Sequence, residues 1–522
     1  MILRASLKRI EPMTRISLYS LLLSAAPLVA ADLVLAPLFQ DGAVLQRDRE
    51  IPVWGMAAPS AEVVVSFAGN QTTGTTGADG RWEVRLPAAS TNAEPQVMTI
   101  SSAGSTVEIK DLLVGEVWLA SGQSNMGWRI NQSRKEDQAM AKQGAVPGLR
   151  VFTVPQRLHH EPQFSVDGKW QDATPQIAPQ LTAVGYFFGR HLVEELGIPV
   201  GIIHSSWGGS RIEPWWDETG LDGIKELAEI RAKRRARVPG FAEYRVPLRK
   251  HALAMAEWSQ QAVAAIDAGE DAPPMPAAPE LLKLGHGAET GTYQAMIHPL
   301  APYAIRGFIW YQGESNRADG MLYTAKKRAL IEGWRSRFQV PDAPFFFVQI
   351  APFQYGNDRT EQLPELWRAQ EKTLEIPNTG MVVTLDIGDV KDIHPGNKSE
   401  VGHRLALWAL ADTYGKDGVV KSGPLYQKHQ ASDDAIVVTF DHIGGGLVTR
   451  NGQSPSHFEV AGEEGEFKPA TAEISADGKT ITLRSPQVPS PRKARFAWHK
   501  TAEPNLMNKE GLPAAAFHTH WN

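Results

Sequence analysis

A serine follows an apolar run at the point where that run ends in small polar residues. Ser124 stands in the segment Ser121-Gly-Gln-Ser-Asn125, directly after the apolar residues 117–120. Such a run predicts a strand buried on both faces, and Gly122 permits a tight turn at its end. Open α/β sheets bind ligands at the carboxyl ends of their strands, so we predict that Ser124 is presented there as a nucleophile.

A serine hydroxyl is a weak nucleophile unless a neighbouring base accepts its proton. His394 is the candidate base, because it lies in a polar loop that follows another apolar segment, residues 381–385. An acid commonly holds such a histidine in one tautomer, and Asp392 is the nearest acid in sequence. His403, nine residues further on, falls in a predicted helix and is interpreted as structural.

Acyl transfer also develops a negative charge on an oxygen atom, which requires preorganised hydrogen-bond donors. The backbone N–H groups of Ser124 and Gly209 are two candidates. A side-chain amide after the apolar segment 306–311 is the third, and Gln312 and Asn316 both qualify. Glu314 has no evident step in acyl transfer, so we interpret it as an organiser of hydrogen bonds in its loop.

Strands alternating with helices are predicted from residue 111 to about residue 420, which indicates an α/β fold with a parallel sheet. The apolar segments of this region each end in a polar or glycine-rich loop, and they are residues 117–120, 199–204, 306–311, 345–350 and 381–385. A helix is predicted over 184–197. An inserted helical pair is predicted within about 217–284, and its basic run, residues 231–237, is interpreted as a solvated helix face.

Short alternating strands without helices flank this region and predict a small β-sandwich over 32–110 and a second β-domain over 421–522. The chain has 522 residues, enough for two to four domains. Its formal net charge of −5 argues against nucleic-acid binding, and it contains no cysteine, so neither disulfides nor thiolate zinc sites are expected.

Residues 1–31 have the pattern of a signal peptide, with basic positions, an apolar run and small residues at the end. The pattern is complete whether translation starts at Met1 or at Met13. No later stretch is apolar for about 18 residues, so the mature protein is expected to be soluble, without a membrane partner, and secreted or periplasmic.

Four sequence blocks together resemble the sialate O-acetylesterase family of SGNH-type hydrolases, which is close to the acetylxylan and acetyl-xyloglucan esterases. They are GEVWLASGQSNM at 115–126, SSWGGSRIEPW at 205–215, IWYQGESN at 309–316 and DIHP at 392–395. The resemblance implies a three-layer SGNH hydrolase domain and a serine carbohydrate O-acetylesterase. It further implies an acetylated glycan as substrate and no metal or organic cofactor.

Transferred to this chain, the resemblance implies Ser124 as nucleophile, His394 as base and a glycine of the 208–209 pair as oxyanion donor. Two departures leave alternatives open. SGNH hydrolases generally have an asparagine soon after a glycine in the third block, whereas this chain has Gln312-Gly313, so the third donor is Gln312 or Asn316. The usual Asp-x-x-His spacing falls on Lys391, so the acid is Asp392, Asp389 or Asp386, or the site is a dyad.

Tryptophans near the predicted loops are candidates for stacking on sugar rings, namely Trp128, Trp207, Trp215 and Trp216. We take Trp215, Glu314 and Asn316 as the candidate substrate-binding residues. Candidate glycans are O-acetylated sialic acid, xylan and xyloglucan. Two other functions remain open at this point, namely a carbohydrate-binding protein on an inactive hydrolase core and an amidase or peptidase that uses the same nucleophile.

Overall fold

The computed structural model describes residues 33–520, and the predicted signal peptide, residues 1–31, lies outside them. The first seven strands are β1 (Val34–Leu35), β2 (Val44–Gln46), β3 (Ile51–Met56), β4 (Glu62–Phe67), β5 (Asn70–Thr75), β6 (Arg81–Leu86) and β7 (Asn92–Ser102). Strands β1, β3 and β6 form one antiparallel sheet, and β4 pairs with β5 and β7 in a second. Trp82, Val84 and Leu86 are buried in alternation with exposed residues, as their spacing predicts.

Strand β8 (Ser105–Gly122) is 18 residues long and runs through the predicted boundary at 110/111. Its first half pairs antiparallel with β7, and its middle pairs parallel with β2. Its last residues lie in the centre of a parallel sheet, so the second N-terminal sheet and the central sheet form one continuous sheet. The residues from Leu112 to Gly122 are all buried, which explains why the sequence shows only an apolar run there.

The rest of the central sheet consists of β9 (Leu149–Thr153), β10 (Trp170–Asp172), β11 (Val200–Ser206), β12 (Gly307–Tyr311), β13 (Phe345–Val348) and β14 (Thr379–Val382). The strand order is β10-β9-β11-β8-β12-β13-β14, and all pairs are parallel except β9 with β10. The predicted strands are therefore present. The carboxyl ends of β8, β11 and β12 lie next to one another in the order β11-β8-β12. The loops that carry Ser124, Gly209 and Gln312 follow these ends, and the loop of His394 follows β14.

Helices cover both faces of this sheet. They are α1 (Ser124–Gly127), α2 (Lys135–Lys142), α3 (Ala183–Leu196), α4 (Ala228–Arg235), α5 (Ala242–Asp267), α6 (Gly291–Met296), α7 (Leu322–Arg337), α8 (Gln362–Lys372) and α9 (Lys398–Trp408). Trp118 of β8 contacts Phe188 of α3 on one face, whereas Trp310 of β12 contacts Trp334 of α7 on the other. The helix α3 ends at Gly197, which has a φ of +66°.

Helices α4 and α5 form the predicted inserted pair, but the basic run is not simply a solvated face. Arg234 is buried and binds Glu218 and Thr290. The neighbouring Arg235 contacts Glu218 and Glu243. The arginines therefore pair with carboxylates, because a buried guanidinium needs hydrogen-bond acceptors to offset the loss of water.

The C-terminal region contains β15 (Leu425–Ala431), β16 (Ile436–Asp441), β17 (Leu447–Thr449), β18 (Phe458–Ala461), β19 (Lys468–Pro469), β20 (Thr471–Ile474), β21 (Thr480–Arg484), β22 (Lys493–Phe496), β23 (Leu506–Asn508) and β24 (Phe517–His518). They form two four-stranded sheets and one pair. Phe440 of one four-stranded sheet packs on Phe517 of the other. Within residues 33–520, no helix combines the length and apolarity needed to cross a bilayer.

Candidate active site

Ser124 is the first residue of α1, and only Gln123 separates it from the end of β8 at Gly122. Gly122 has a φ of +141°, and a Cβ atom there would lie 2.2 Å from the carbonyl oxygen of Tyr311. Only glycine fits this close approach between β8 and β12. Gln123 is fixed by its backbone N–H, which donates to the same Tyr311 oxygen. The turn therefore places the half-buried Ser124 beyond the edge of the central sheet, as predicted.

His394 meets Ser124 across 270 residues of sequence, with 2.9 Å between His394 Nε2 and Ser124 Oγ. His394 lies in the loop between β14 and α9. At this distance the imidazole can accept the hydroxyl proton, which is the arrangement that a serine nucleophile needs. The two residues that the sequence selects as nucleophile and base are thus in direct contact.

The ring of His394 is held by a tryptophan that sequence reasoning considered only as a sugar-stacking candidate. Trp128 lies parallel to the imidazole, with 4.3 Å between the ring centroids and 13° between the ring planes. Its indole N–H donates to the carbonyl of Gln132 at 2.9 Å, which fixes the indole in turn. One face of Trp128 is therefore covered by the His394 ring, so that face is not available to a sugar.

None of the three candidate acids hydrogen-bonds the His394 ring in the described part of the chain. Asp392 Oδ1 accepts the backbone N–H of His394 at 2.9 Å. Asp389 accepts the backbone N–H of Lys391, and Asp386 binds the guanidinium of Arg404 through both carboxylate oxygens. The geometry therefore corresponds to the dyad alternative, with Asp392 acting on the backbone of the loop and on the imidazole only through space.

Three influences act on the pKa of His394, and their sum lowers it. Burial is the largest, since it disfavours the charged imidazolium. The positive charge of Lys398 lowers the pKa further, while the negative charge of Asp392 raises it. The imidazole therefore stays neutral, and able to accept a proton, at a lower pH than an ordinary histidine.

Two glycines lie beside Ser124 in the loop after β11. A Cβ atom on Gly208 would lie 3.4 Å from Ser124 Cβ, and Gly209 has a φ of +73° that favours glycine. The backbone N–H groups of Ser124 and Gly209 donate to no other residue within 33–520. Both are thus free to bind an oxyanion formed on a carbonyl carbon attacked by Ser124.

Neither side-chain amide proposed as the third oxyanion donor is free. Gln312 is buried, and its amide donates to the carbonyl of Ser210 at 3.2 Å and to Asn316 Oδ1 at 2.7 Å. The Asn316 amide is also buried and donates to Glu213 and Asp319. Because an amide nitrogen has two hydrogens, both donors are exhausted. The prediction that Gln312 or Asn316 stabilises the oxyanion is wrong for this geometry. Gln312 instead holds the loop of Gly209 through its hydrogen bond to the carbonyl of Ser210.

Known proteins are similar to this chain in sequence and in structure. Residues 283–411 match the family described as carbohydrate esterase, sialic acid-specific acetylesterase. The chain is 29% identical over 439 residues to the mouse sialate O-acetylesterase, covering 76% of this chain and 77% of that protein. It is 28% identical over 423 residues to the human sialate O-acetylesterase, covering 74% and 72%.

The crystal structure of a carbohydrate acetylesterase from Xanthomonas citri superposes with a TM-score of 0.79 at 35% identity, covering 94% of this chain and 100% of that one. The chain belongs to the sialate O-acetylesterase family. The protein is therefore a carboxylic ester hydrolase of the carbohydrate O-acetylesterase class. The matched segment 283–411 contains His394 and the Gln312 loop, and Ser124 lies upstream of it.

The three substrate-binding assignments made from the sequence need correction. Trp215 is fully buried, packs on Trp310 and donates its indole N–H to Ser210 Oγ at 2.9 Å, so it cannot stack on a sugar. Glu314 is also buried and accepts a hydrogen bond from the Asn125 amide at 2.6 Å. Its place is that of a hydrogen-bond organiser, not a substrate contact. Asn316, described above, is likewise out of reach of a substrate.

Sequence reasoning missed two residues of the esterase site, Asn125 and Lys398. Asn125 follows the nucleophile and was read only as part of a polar turn, although it carries a buried amide. Lys398 is the first residue of α9, where a lysine is ordinarily solvated, yet its side chain is 0% exposed. Both could have been selected from the sequence by their proximity to the predicted pair, because Asn125 follows Ser124 directly and Lys398 lies four residues after His394.

Proposed function

We propose that this esterase removes O-acetyl groups from a glycan through an acyl-enzyme intermediate, with Ser124 as nucleophile and His394 as general base, on an SGNH-type hydrolase scaffold. The observation that carries the proposal is the 2.9 Å contact between His394 Nε2 and Ser124 Oγ. The free N–H groups of Ser124 and Gly209 beside it provide a site for the oxyanion.

The reaction follows from these groups in two stages. His394 accepts the proton of Ser124 as Oγ attacks the acetyl carbonyl carbon, and the carbonyl oxygen becomes negative between the backbone donors. The C–O bond to the sugar then breaks, and His394 returns the proton to the departing sugar hydroxyl. Water then enters, and His394 accepts a proton from it as the water oxygen attacks the acetyl carbon. The bond from that carbon to Ser124 Oγ breaks, and His394 returns the proton to Oγ, which releases acetate and restores the free enzyme.

The substrate class rests on the relatives. Two mammalian relatives are sialate O-acetylesterases by name, and the Xanthomonas citri relative is a carbohydrate acetylesterase. We therefore propose O-acetylated sialic acid as the substrate, and the sequence resemblance to acetylxylan and acetyl-xyloglucan esterases adds O-acetylated xylan and xyloglucan as candidates. The signal-peptide pattern of residues 1–31 supports export, either to the periplasm or out of the cell.

The test is an acetate-release panel on the three O-acetylated glycans with wild type, Ser124→Ala, His394→Ala and the double variant. Each single change should remove most of the rate, and the double variant should lose little more, because nucleophile and base act as one unit. Near wild-type release by Ser124→Ala would end the serine mechanism.

The same panel separates the rival functions. A carbohydrate-binding protein would retain glycan binding in Ser124→Ala and show no turnover in wild type. An amidase would release acetate from an acetamide analogue offered beside the acetate ester.

A further inference from the structure

A lysine is buried next to the nucleophile and takes no part in the steps above. The ammonium group of Lys398 donates to Asn125 Oδ1 and lies 5.3 Å from the ring centroid of Tyr311. Its side chain is completely buried. Burying an ammonium group is costly, so a lysine in this place calls for a function.

The partner of Lys398 joins two parts of the site. Asn125 follows Ser124 directly, and its Nδ2 atom donates to Glu314 Oε1 at 2.6 Å and to the carbonyl oxygen of Ile393 at 3.0 Å. Ile393 precedes the general base His394. One amide thus links the nucleophile turn to the loop that carries the base.

Only one orientation of this amide preserves the link. The ammonium group can donate but cannot accept, so it requires the oxygen atom of Asn125 on its side. The NH₂ group is then directed toward the acceptors at Glu314 and Ile393. Lys398 therefore determines which end of the Asn125 amide faces the loop of the base.

We propose that Lys398 is a positioning residue of the esterase reaction, which orients the Asn125 amide and thereby fixes the Ser124 turn against the His394 loop. The proposal rests on the proposed function, because it assigns a role relative to Ser124 and His394.

The surroundings of Lys398 support a role that depends on its charge. Asp137 of α2 accepts the backbone N–H groups of Lys398 and Ser399, at 2.8 and 2.9 Å. The carboxylates of Glu314, Asp392 and Asp137 face Lys398 and raise its pKa, but burial outweighs them and lowers it to about 7. Below that pH the ammonium charge acts on His394, whose pKa it lowers. The same residue therefore helps to keep the base neutral.

The decisive variant is Lys398→Met, which keeps the length of the side chain and removes its donors and its charge. We expect kcat to fall roughly 10- to 100-fold, as small displacements of reacting groups do, with KM nearly unchanged because Lys398 does not reach the substrate. The acidic limb of kcat/KM should move to higher pH, because the positive neighbour that lowers the pKa of His394 has been removed.

The matched control is Lys327→Met, since Lys327 of α7 is equally buried but contacts the rings of Tyr323 and Phe347, not the site. It should retain wild-type kcat and pH profile. Wild-type kcat in folded Lys398→Met, a loss of kcat without a shift of the acidic limb, or the same loss and shift in Lys327→Met would each overturn the proposal.

A second variant keeps the test decisive if Lys398→Met does not fold. Asn125→Ala removes the link itself, so it should reproduce the fall in kcat, and in a folded double variant the two losses should not add. Wild-type kcat in Asn125→Ala would overturn the proposal.

Ser124→Ala is assayed in parallel to separate the two proposals. An active Ser124→Ala enzyme refutes the serine mechanism. An inactive Ser124→Ala enzyme beside a fully active Asn125→Ala enzyme refutes only the role of Lys398.

Discussion

The imidazole of His394 lies flat against the indole of Trp128, 4.3 Å away and within 13° of parallel. In a serine triad a carboxylate orients the base through the second ring nitrogen. Here an aromatic face restricts the tilt of the ring, and the Asp392 carboxylate holds the backbone of the same residue. The stacking contact with Trp128 and the hydrogen bond to Asp392 thus together orient His394.

We expect Trp128→Leu to lower kcat by roughly 10-fold or more, because a base free to tilt leaves the productive geometry. Steady-state kinetics on an aryl acetate at pH 7.5 measures the effect. Trp128→Phe is the control, since it retains an aromatic face and should retain most of the activity. Equal activity of the leucine variant and wild type would mean that the stack does not orient His394.

Asp392→Asn should be mild, with a loss well below the roughly 10⁴-fold seen when the orienting aspartate of a triad is changed. The asparagine oxygen can still accept the backbone N–H of His394, so the loop is preserved. A triad-sized loss of kcat would instead indicate that the carboxylate contacts the imidazole during turnover.

Asp386→Asn should affect stability and not chemistry. The change breaks an ion pair in which both carboxylate oxygens of Asp386 bind the buried guanidinium of Arg404. Removing one partner of a buried ion pair lowers the free energy of unfolding by roughly 3–5 kcal/mol. A lower unfolding midpoint with nearly normal kcat per folded molecule is the expected result. Loss of kcat without loss of stability would return Asp386 to the list of candidate acids.

The acidic limb of wild-type kcat/KM should lie below the ordinary histidine pKa of 6.5, because the pKa of His394 is lowered. A base works when neutral, so a lowered pKa preserves activity as the pH falls. Asp392→Asn should move the limb lower still, since it removes the negative charge that raises this pKa. A pH–rate profile measures both effects, and a wild-type limb above pH 6.5 would contradict the expectation.

Lys327→Met should stabilise the protein. Lys327 Nζ has no hydrogen-bond partner within residues 33–520 and lies 3.4 Å from the ring centroid of Phe347. The attraction of a cation to a ring is roughly 2 kcal/mol when desolvated, less than the several kcal/mol that burial of an ion costs. Equilibrium unfolding in denaturant measures the difference from wild type.

The pH dependence of the difference in unfolding free energy between Lys327→Met and wild type tests whether the buried charge of Lys327 causes it. Burial holds the pKa of Lys327 in the folded protein well below 10.5, its value in the unfolded chain. At a pH between the folded-state and unfolded-state pKa values, the unfolded chain therefore binds more protons than the folded one. Wild-type stability from this group therefore rises with pH, and the advantage of the methionine variant should be larger at pH 6 than at pH 9. A constant difference would mean that lost packing or another group is responsible.

Much of the sheet and the pairing of Ser124 with His394 could be predicted from the sequence. The strands are apolar runs buried on both faces, and each strand ends within about three residues of the end of its run, so the residues that follow lie at one edge. The position of Ser124 and His394 at this edge, together with their residue types, was enough to predict that they pair.

The remaining site residues depend on hydrogen bonds that the sequence does not reveal. Gln312 and Asn316 look alike as amide donors, and only the buried network with Ser210, Glu213 and Asp319 shows that their hydrogens are used. Asp392 lies two residues before the base, but its carboxylate turns to the backbone of His394. Nor does composition distinguish a tryptophan against a sugar from one against an imidazole.

The unbroken strand β8 has an evolutionary consequence. Side chains along a strand alternate between faces, so inserting or deleting one residue between β7 and Ser124 would turn Trp118 and its neighbours to the opposite side of the sheet. Length variation among homologues should thus be excluded from 105–122 and concentrated in exposed stretches such as residues 268–281 of the inserted segment. We therefore expect the sheet of β4, β5 and β7, which β8 joins to the central sheet, to be retained wherever the Ser124 turn is retained.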